Sequence, residues 1–190
     1  MANELTLKKE HFSKIEGRFI ELTDQKTFAK ECSFAMQHFS KNDYLDKSTI
    51  ESKLQAVLNV AQVQLTLNPV LKLAYLVPRF ENGAVKCFLE PSYQGLVKLI
   101  TDTGSAKNVT CHPVYEGDIF DVTLGTSEDV VHNPKFKSKE IEYVYAIAVL
   151  SDGRKQIEVM TAEQVNEIRD KSESYKSFVA GKTKTCIWND

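Results

Sequence analysis

The stretch Ile141-Glu-Tyr-Val-Tyr-Ala-Ile-Ala-Val-Leu150 decides the fold class, because it is a long run of β-branched and aromatic residues. Residues of these types favour extended strands. Polar and apolar positions alternate only in part along the run, which is typical of a strand that is covered on both faces. We therefore predict a central β-strand at Ile141–Leu150, buried on both sides.

Further strand-like segments lie on both sides of this run. Ala106–Tyr115 and Ile119–Leu124 precede it, and Asp152-Gly153 predicts a turn into another strand at Gln156–Met160. The next four residues, Thr161-Ala-Glu-Gln164, have the pattern of a capping box and predict the start of a helix. The second half of the chain is therefore predicted to be a strand meander that ends in a helix.

A β-hairpin is predicted earlier in the chain. Leu71–Arg79 and Val85–Leu89 flank Asn82-Gly83, a pair that tolerates positive φ and favours a tight turn. Pro91 then suits the first turn of a short helix. Gly104 suits the end of that helix, because glycine readily adopts the left-handed conformation found there.

Two amphipathic helices are predicted before the hairpin. The first runs from about Asp24 to Phe39 and has apolar residues at helical spacing. The second begins at Ser48, where Ser48 and Glu51 form a capping box. Asn68-Pro69 is predicted to stop it, because proline cannot continue the hydrogen-bond ladder.

The order of these elements predicts an α+β fold, a small antiparallel-rich β-sheet with packed helices. The regular β-α-β alternation of a parallel sheet is missing. We expect residues 1–22 to be a flexible N-terminal segment. Residues 23–190 are expected to form a single α+β core.

Composition restricts the class of protein. The chain has 190 residues, 42% of them hydrophobic and 26% charged, with a formal net charge of −2. This balance argues against a purely electrostatic nucleic-acid binder but is compatible with a local basic groove. Four widely spaced cysteines predict small buried side chains in a reducing compartment. With no signal peptide and no long apolar run, we expect a cytoplasmic protein.

Catalytic motifs are not evident. Gly181-Lys182-Thr183 resembles the end of a phosphate-binding loop, but the first glycine of that loop would fall on Lys176. The four histidines lack metal-ligand spacing. Several carboxylates could gather a divalent cation or form a solvated loop and edge strand: Glu116, Asp118, Asp121, Glu128 and Asp129. We expect no enzyme activity, no cofactor and no metal site.

Two segments suit nucleic acid. Lys135-Phe-Lys-Ser-Lys139 places three cations on alternate residues, so in an extended strand they would form a row that follows a phosphate backbone. A soluble edge strand explains the same pattern. Near the helix start at Ser92–Lys98, Tyr93, Gln94 and Lys98 offer a ring, an amide and a cation, although a tyrosine at such a position is often partly buried in the core.

Several motifs in order along the chain resemble the RecT family of phage single-strand annealing proteins. The most specific is Pro91-Ser-Tyr-Gln-Gly-Leu-Val-Lys-Leu99. The others are Asn59–Pro69, Leu73–Arg79, Val114-Tyr-Glu-Gly-Asp118, Pro134-Lys-Phe-Lys137, Tyr145-Ala146 and Glu158-Val-Met160. Together they extend from about residue 25 to residue 190, which makes the resemblance more specific than any single motif.

The resemblance implies a protein that coats single-stranded DNA, forms rings or helical filaments, and anneals complementary strands without a nucleotide. It also implies a 5′→3′ exonuclease partner and a small sheet surrounded by helices. In the family, a helix with a basic Lys-Thr stretch begins near Trp188–Asp190, where this chain stops. We therefore expect part of the binding groove to be missing and annealing to be weak.

Clustering near helix starts and strand ends predicts that seven side chains line the DNA groove: Tyr93, Gln94, Lys98, Lys107, Lys137, Lys139 and Arg154. The apolar stripe of the first helix, with Phe28 and Phe39, is either a subunit contact or ordinary core. Two other functions stay open, a metal-dependent nuclease that uses the Glu116–Asp129 carboxylates and a non-catalytic scaffold protein.

Overall fold

The computed structural model describes residues 7–182, and the chain divides into two compact units at the Thr103–Gly104 bond. Each unit is described by itself. Both combine helices with antiparallel strands, so the predicted α+β class is confirmed. Among residues 7–182, no helix has both the length and the apolar composition needed to cross a membrane.

Helices form the first part of the first unit. After a 3-10 turn at Lys9–Phe12 they are α1 (Ser13–Leu22), α2 (Gln25–Lys41), α3 (Asp43–Asp46) and α4 (Ile50–Val63). Helix α1, whose Ile15 and Phe19 are buried, was not predicted from the sequence. The predicted first helix is confirmed as α2, and the Asp24 carboxylate caps it by accepting the Thr27 N–H at 2.9 Å.

The boundaries predicted for α4 were wrong at both ends. Its cap is Thr49, whose hydroxyl accepts the Ser52 N–H, while the predicted cap, Ser48, has a fully buried side chain. The helix ends at Gln64, well before the proline, because Gln64 adopts a left-handed conformation with φ 53°. A left-handed residue ends the helical ladder as effectively as a proline does.

The apolar stripe of α2 belongs to the core of the first unit. Phe28 and Phe39 are only 7% and 4% exposed. The Phe28 ring packs against Phe19 of α1, with 5.3 Å between ring centroids. Interior side chains cannot contact another subunit, so the interpretation of this stripe as a subunit contact is wrong.

The predicted hairpin is confirmed. Strands β1 (Ala74–Glu81) and β2 (Ala84–Pro91) pair antiparallel around Asn82 and Gly83, both with positive φ. The prediction that Pro91 lies in the first turn of a helix is wrong, because Pro91 is the last residue of β2. Ser92 is the cap, and α5 follows at Tyr93–Asp102.

The second unit contains a three-stranded sheet in which β6 (Ile141–Leu150) lies between β3 (Ala106–Tyr115) and β7 (Lys155–Thr161). The central position of β6 is thus confirmed. Burial on both faces is not, because Tyr145 is the only residue of β6 that is buried. The other residues of β6 are half-buried or exposed.

Other elements complete the second unit. Strands β4 (Ile119–Thr123) and β5 (Asp129–Asn133) form a separate hairpin, of which β5 was not predicted. Helix α6 (Ala162–Lys171) begins at the predicted capping box of Thr161 and Gln164, and α7 (Glu173–Val179) follows.

The lysine-rich stretch at residues 135–139 is a loop and not the extended strand that was predicted. Phe136 has φ 54°, which breaks the alternation of side-chain directions. Side chains replace strand partners here: the Asp118 carboxylate accepts the Lys135 N–H at 2.6 Å, and the Ser138 hydroxyl accepts the Glu140 N–H at 3.1 Å. The three lysines therefore do not form a row on one face of a strand.

Candidate nucleic-acid interface

The start of α5 is held by the backbone that precedes β1. The Ser92 N–H donates to the Leu73 carbonyl at 2.9 Å, and the Ser92 hydroxyl accepts the Gly95 N–H at 3.0 Å. Gly95 is buried against the same carbonyl, which leaves no room for a Cβ atom. This close approach fixes the first turn of the helix in place.

Tyr93 and Gln94 extend outward from that first turn. Tyr93 is 75% exposed, so the alternative that it is part of the core is wrong. The Gln94 amide lies 3.2 Å from the Tyr93 hydroxyl. An exposed ring beside the N-terminus of a helix can stack on a base while the helix dipole attracts a phosphate.

Lys98 lies one turn further along α5 and is in an ion pair. Its ammonium is 2.5 Å from the Asp102 carboxylate, and the two side chains are 40% and 53% exposed. An exposed pair of this kind contributes about 0–1 kcal/mol. A phosphate can therefore compete with Asp102 for the ammonium group.

The other four predicted residues lie in the second unit. Lys107 is exposed on β3, Lys137 and Lys139 are exposed in the loop before β6, and Arg154 pairs with Asp152 at 2.6 Å in the turn before β7. Within residues 7–182, the ammonium groups of Lys107, Lys137 and Lys139 have no ion pair, so their charges are available to a ligand.

These four cations are divided between the two ends of the sheet. Lys107 is next to Ala106, which pairs with Leu150, and the Leu150 N–H donates to the Arg154 carbonyl. Lys137 and Lys139 precede the opposite end of β6. The pairing of β3 with β6 therefore places Lys107 and Arg154 near the same end of β6, whereas Lys137 and Lys139 are neighbours in the loop that leads into its other end.

The second unit contains an aromatic pocket that was not predicted from the sequence. An open pocket of about 360 Å³ is lined by His112, Pro113, Tyr115, His132, Pro134, Phe136 and Tyr145. A sequence signal existed in the aromatic and histidine residues of β3 and β6, where His112 pairs with Tyr145. It was not recognised, because His132 lies in the unpredicted strand β5.

Asp118 connects three segments of the chain that surround this pocket. Its side chain is 1% exposed. The carboxylate accepts hydrogen bonds from the Lys135 N–H at 2.6 Å and the Tyr115 N–H at 3.0 Å, and it lies 3.1 Å from His132 Nε2. The Lys135 N–H, followed by the Tyr115 N–H, holds the pKa of Asp118 below its usual value of 3.8. Near neutral pH the carboxylate is therefore charged, and its oxygens are already hydrogen-bonded within the protein.

Two of the other acidic residues also have structural partners. The Glu128 carboxylate accepts the Ile157 N–H at 2.8 Å, and Asp129 pairs with Lys155 at 2.6 Å. In the part of the chain that the structure describes, no group of three or more His, Cys, Asp or Glu residues is placed to hold a metal ion.

The cysteines differ from the prediction in one case. Cys87 is buried and Cys32 half-buried, and burial raises the pKa of each thiol to about 12. Cys111 is exposed, contrary to the expectation that the cysteines are buried. Cys186 lies outside the described residues, as does the segment where the family's basic helix was expected to begin.

The Gly181-Lys182-Thr183 motif follows helix α7, whereas a phosphate-binding loop follows a strand. Thr183 lies outside the described residues.

Comparison with known proteins supplies the family. A protein-family model described as the RecT family matches residues 29–190. Protein RecT of Escherichia coli (strain K12) is 30% identical over 128 residues, which covers 65% of this chain and 48% of that protein. The chain thus spans about half the length of the curated relative that it matches.

Proposed function

This chain belongs to the RecT family, and from that premise we propose that it binds single-stranded DNA and anneals complementary strands during recombination. The observation that carries the proposal is the family match over residues 29–190. The proposed function needs no nucleotide, no metal and no catalytic group, because base pairing between the strands drives the reaction.

The arrangement of cations supports a backbone contact without sequence selectivity. Lys107, Lys137 and Lys139 are exposed and unpaired within the described residues, and Lys98 and Arg154 are in exposed pairs that phosphate can displace. Contacts to phosphate give affinity and leave the bases free to select their complement. Tyr93 adds a ring on which any base can stack.

A homo-oligomer is part of the proposal. The net charge of −2 means that one chain offers few phosphate contacts in excess. Several subunits on one strand raise the effective concentration of those contacts. Because the α2 stripe is buried, the subunit contact has to use another surface. A 5′→3′ exonuclease that produces the single strand is the partner that we propose.

The function is tested by adding two complementary oligonucleotides one after the other to the protein in the absence of ATP. Fluorescence anisotropy should rise on the first addition, and duplex should then form faster than without protein, with both strands intact. No rise in anisotropy at low salt would favour the scaffold protein instead. Strand cleavage in magnesium would favour the nuclease.

The site is tested with the double variant Lys98→Ala/Lys139→Ala. At about −0.7 per phosphate contact for single strands, loss of two contacts should flatten the salt dependence of binding by about 1.4. Lys14→Ala/Lys30→Ala, at two exposed helix positions in the first unit, is the matched control for charge. Equal slopes for both double variants would contradict the site assignment.

A further inference from the structure

The aromatic pocket of the second unit has a rigid floor. Tyr145 is 7% exposed, and its ring stacks on Phe120 with 5.4 Å between centroids and 30° between planes. The Tyr145 hydroxyl lies 3.2 Å from His132 Nδ1, and His132 Nε2 lies 3.1 Å from the buried Asp118 carboxylate. A ring held on its face and at its hydroxyl forms a fixed floor for the pocket, of which only a small part is open to a ligand.

The rim of the pocket carries an aromatic ring that the fold does not use. Phe136 is 85% exposed, and its φ of 54° is uncommon for a bulky residue. The loop maintains this conformation because Asp118 accepts the Lys135 N–H and the Ser138 hydroxyl lies 3.3 Å from the Glu116 carboxylate. Residues held in such conformations are concentrated at sites that bind ligands.

The charge around Phe136 indicates the class of ligand. Three lysines lie close to this residue in the sequence: Lys135, Lys137 and Lys139. Within residues 7–182, none of their ammonium groups is in an ion pair. Glu140 is the only acidic residue of residues 134–140. An aromatic pocket next to unpaired cations matches a ligand with a flat face and an adjacent negative charge.

We propose that this pocket receives one unpaired base of a single strand, stacked on the exposed Phe136 ring with its edge towards the Tyr145 floor, while the loop lysines hold the neighbouring phosphates. This inference deepens the proposed function and rests on it. The exposed His112 ring, 5.7 Å from Tyr145, forms the opposite wall and offers ring nitrogens to the edge of the base. A base inside a duplex is already stacked and paired, so the pocket distinguishes single strands from their annealed product.

The test compares binding of labelled oligothymidylate with binding of an abasic oligonucleotide of equal length, which has the same phosphates but no bases. Phe136→Ala should weaken binding of oligothymidylate roughly tenfold and leave the abasic strand nearly unchanged, since stacking depends on the base. Phe136→Trp should retain wild-type affinity. Phe80→Ala, at a 70% exposed ring in the first unit, is the matched control.

A second variant, His112→Ala, guards against a loop that misfolds after the change at Phe136, and it should show the same selective loss. If both variants weaken binding of the two ligands equally, or if neither variant weakens binding of either ligand, the base pocket is refuted while single-strand binding stands. If the wild-type protein binds neither ligand, the proposed function and this inference both fail.

Discussion

The carbonyl oxygen of Leu73 occupies the space that a Cβ atom on Gly95 would need. The same oxygen accepts the Ser92 N–H at 2.9 Å, so a single backbone group holds the cap and the first turn of α5. The glycine of the motif Pro91–Leu99 is therefore required by packing. The exposed Tyr93 and Gln94 depend on that packing for their position.

Gly95→Ala should destabilise the first unit by roughly 1–3 kcal/mol, because either the helix or the Leu73 backbone must move. Gly17→Ala is the matched control: Gly17 is also helical, but a Cβ there meets nothing within 4 Å. That change should stabilise the protein by about 0.5–1 kcal/mol. Urea denaturation measures both, and equal effects of the two substitutions would contradict the packing argument.

Glu31→Ala should cost roughly 2–3 kcal/mol of unfolding free energy. The Glu31 side chain accepts the Leu67 N–H at 2.8 Å and the Thr66 hydroxyl at 2.5 Å, and Leu67 is 0% exposed. Without the carboxylate, a buried amide loses its acceptor. Thermal unfolding should show the loss, whereas Glu21→Ala, at an exposed position of α1, should have almost no effect.

Acid should remove the contribution of Asp118 to stability. Because its pKa is lower in the folded protein than the usual 3.8, Asp118 stabilises the fold fully above about pH 4 and loses this effect as the pH falls through the folded pKa. The wild type should therefore be more stable than Asp118→Asn at pH 6, and the difference should shrink below pH 4. Thermal melts at several pH values measure it, and a difference that grows on acidification would contradict the assignment.

Thiol reagents should modify Cys111 before Cys32 and Cys87. Cys111 is exposed, whereas burial raises the pKa of both other thiols to about 12, so almost none of their thiolate is present at neutral pH. Peptide mapping after brief treatment with iodoacetamide measures the order. In urea the three should react at similar rates, and a native Cys87 that reacts as fast as Cys111 would contradict the burial.

Local signals in the sequence predicted much of the fold. Asn82-Gly83 predicted the hairpin, and the box at Thr161 and Gln164 predicted the start of α6. These signals depend on residues within a few positions of each other, where backbone preferences and capping hydrogen bonds act directly. Three boundaries failed. At Ser48 and Pro91 a neighbouring residue, Thr49 or Ser92, forms the cap, and before Asn68-Pro69 the helix has already ended at the left-handed Gln64.

The candidate site was predicted only in part, for the same reason. Tyr93, Gln94 and Lys98 share one helix because of their spacing, which the sequence displays. The pair of Lys98 with Asp102 also follows from spacing, because residues four apart on a helix are neighbours, although it was not predicted. Spacing does not reveal that Lys137 belongs to a loop, because that depends on contacts such as the one between Asp118 and the Lys135 N–H.

The sequence by itself determined the α+β class, the hairpin turn, the central strand β6 and the helix that presents Tyr93. Only the tertiary structure decided that the α2 stripe is core, that the lysine-rich segment is a loop, and that the chain forms two units. It also decided that His112, His132 and Tyr145 surround one pocket. Such features rest on contacts between residues distant in sequence, whose free energy appears only when the strands pair and the side chains pack.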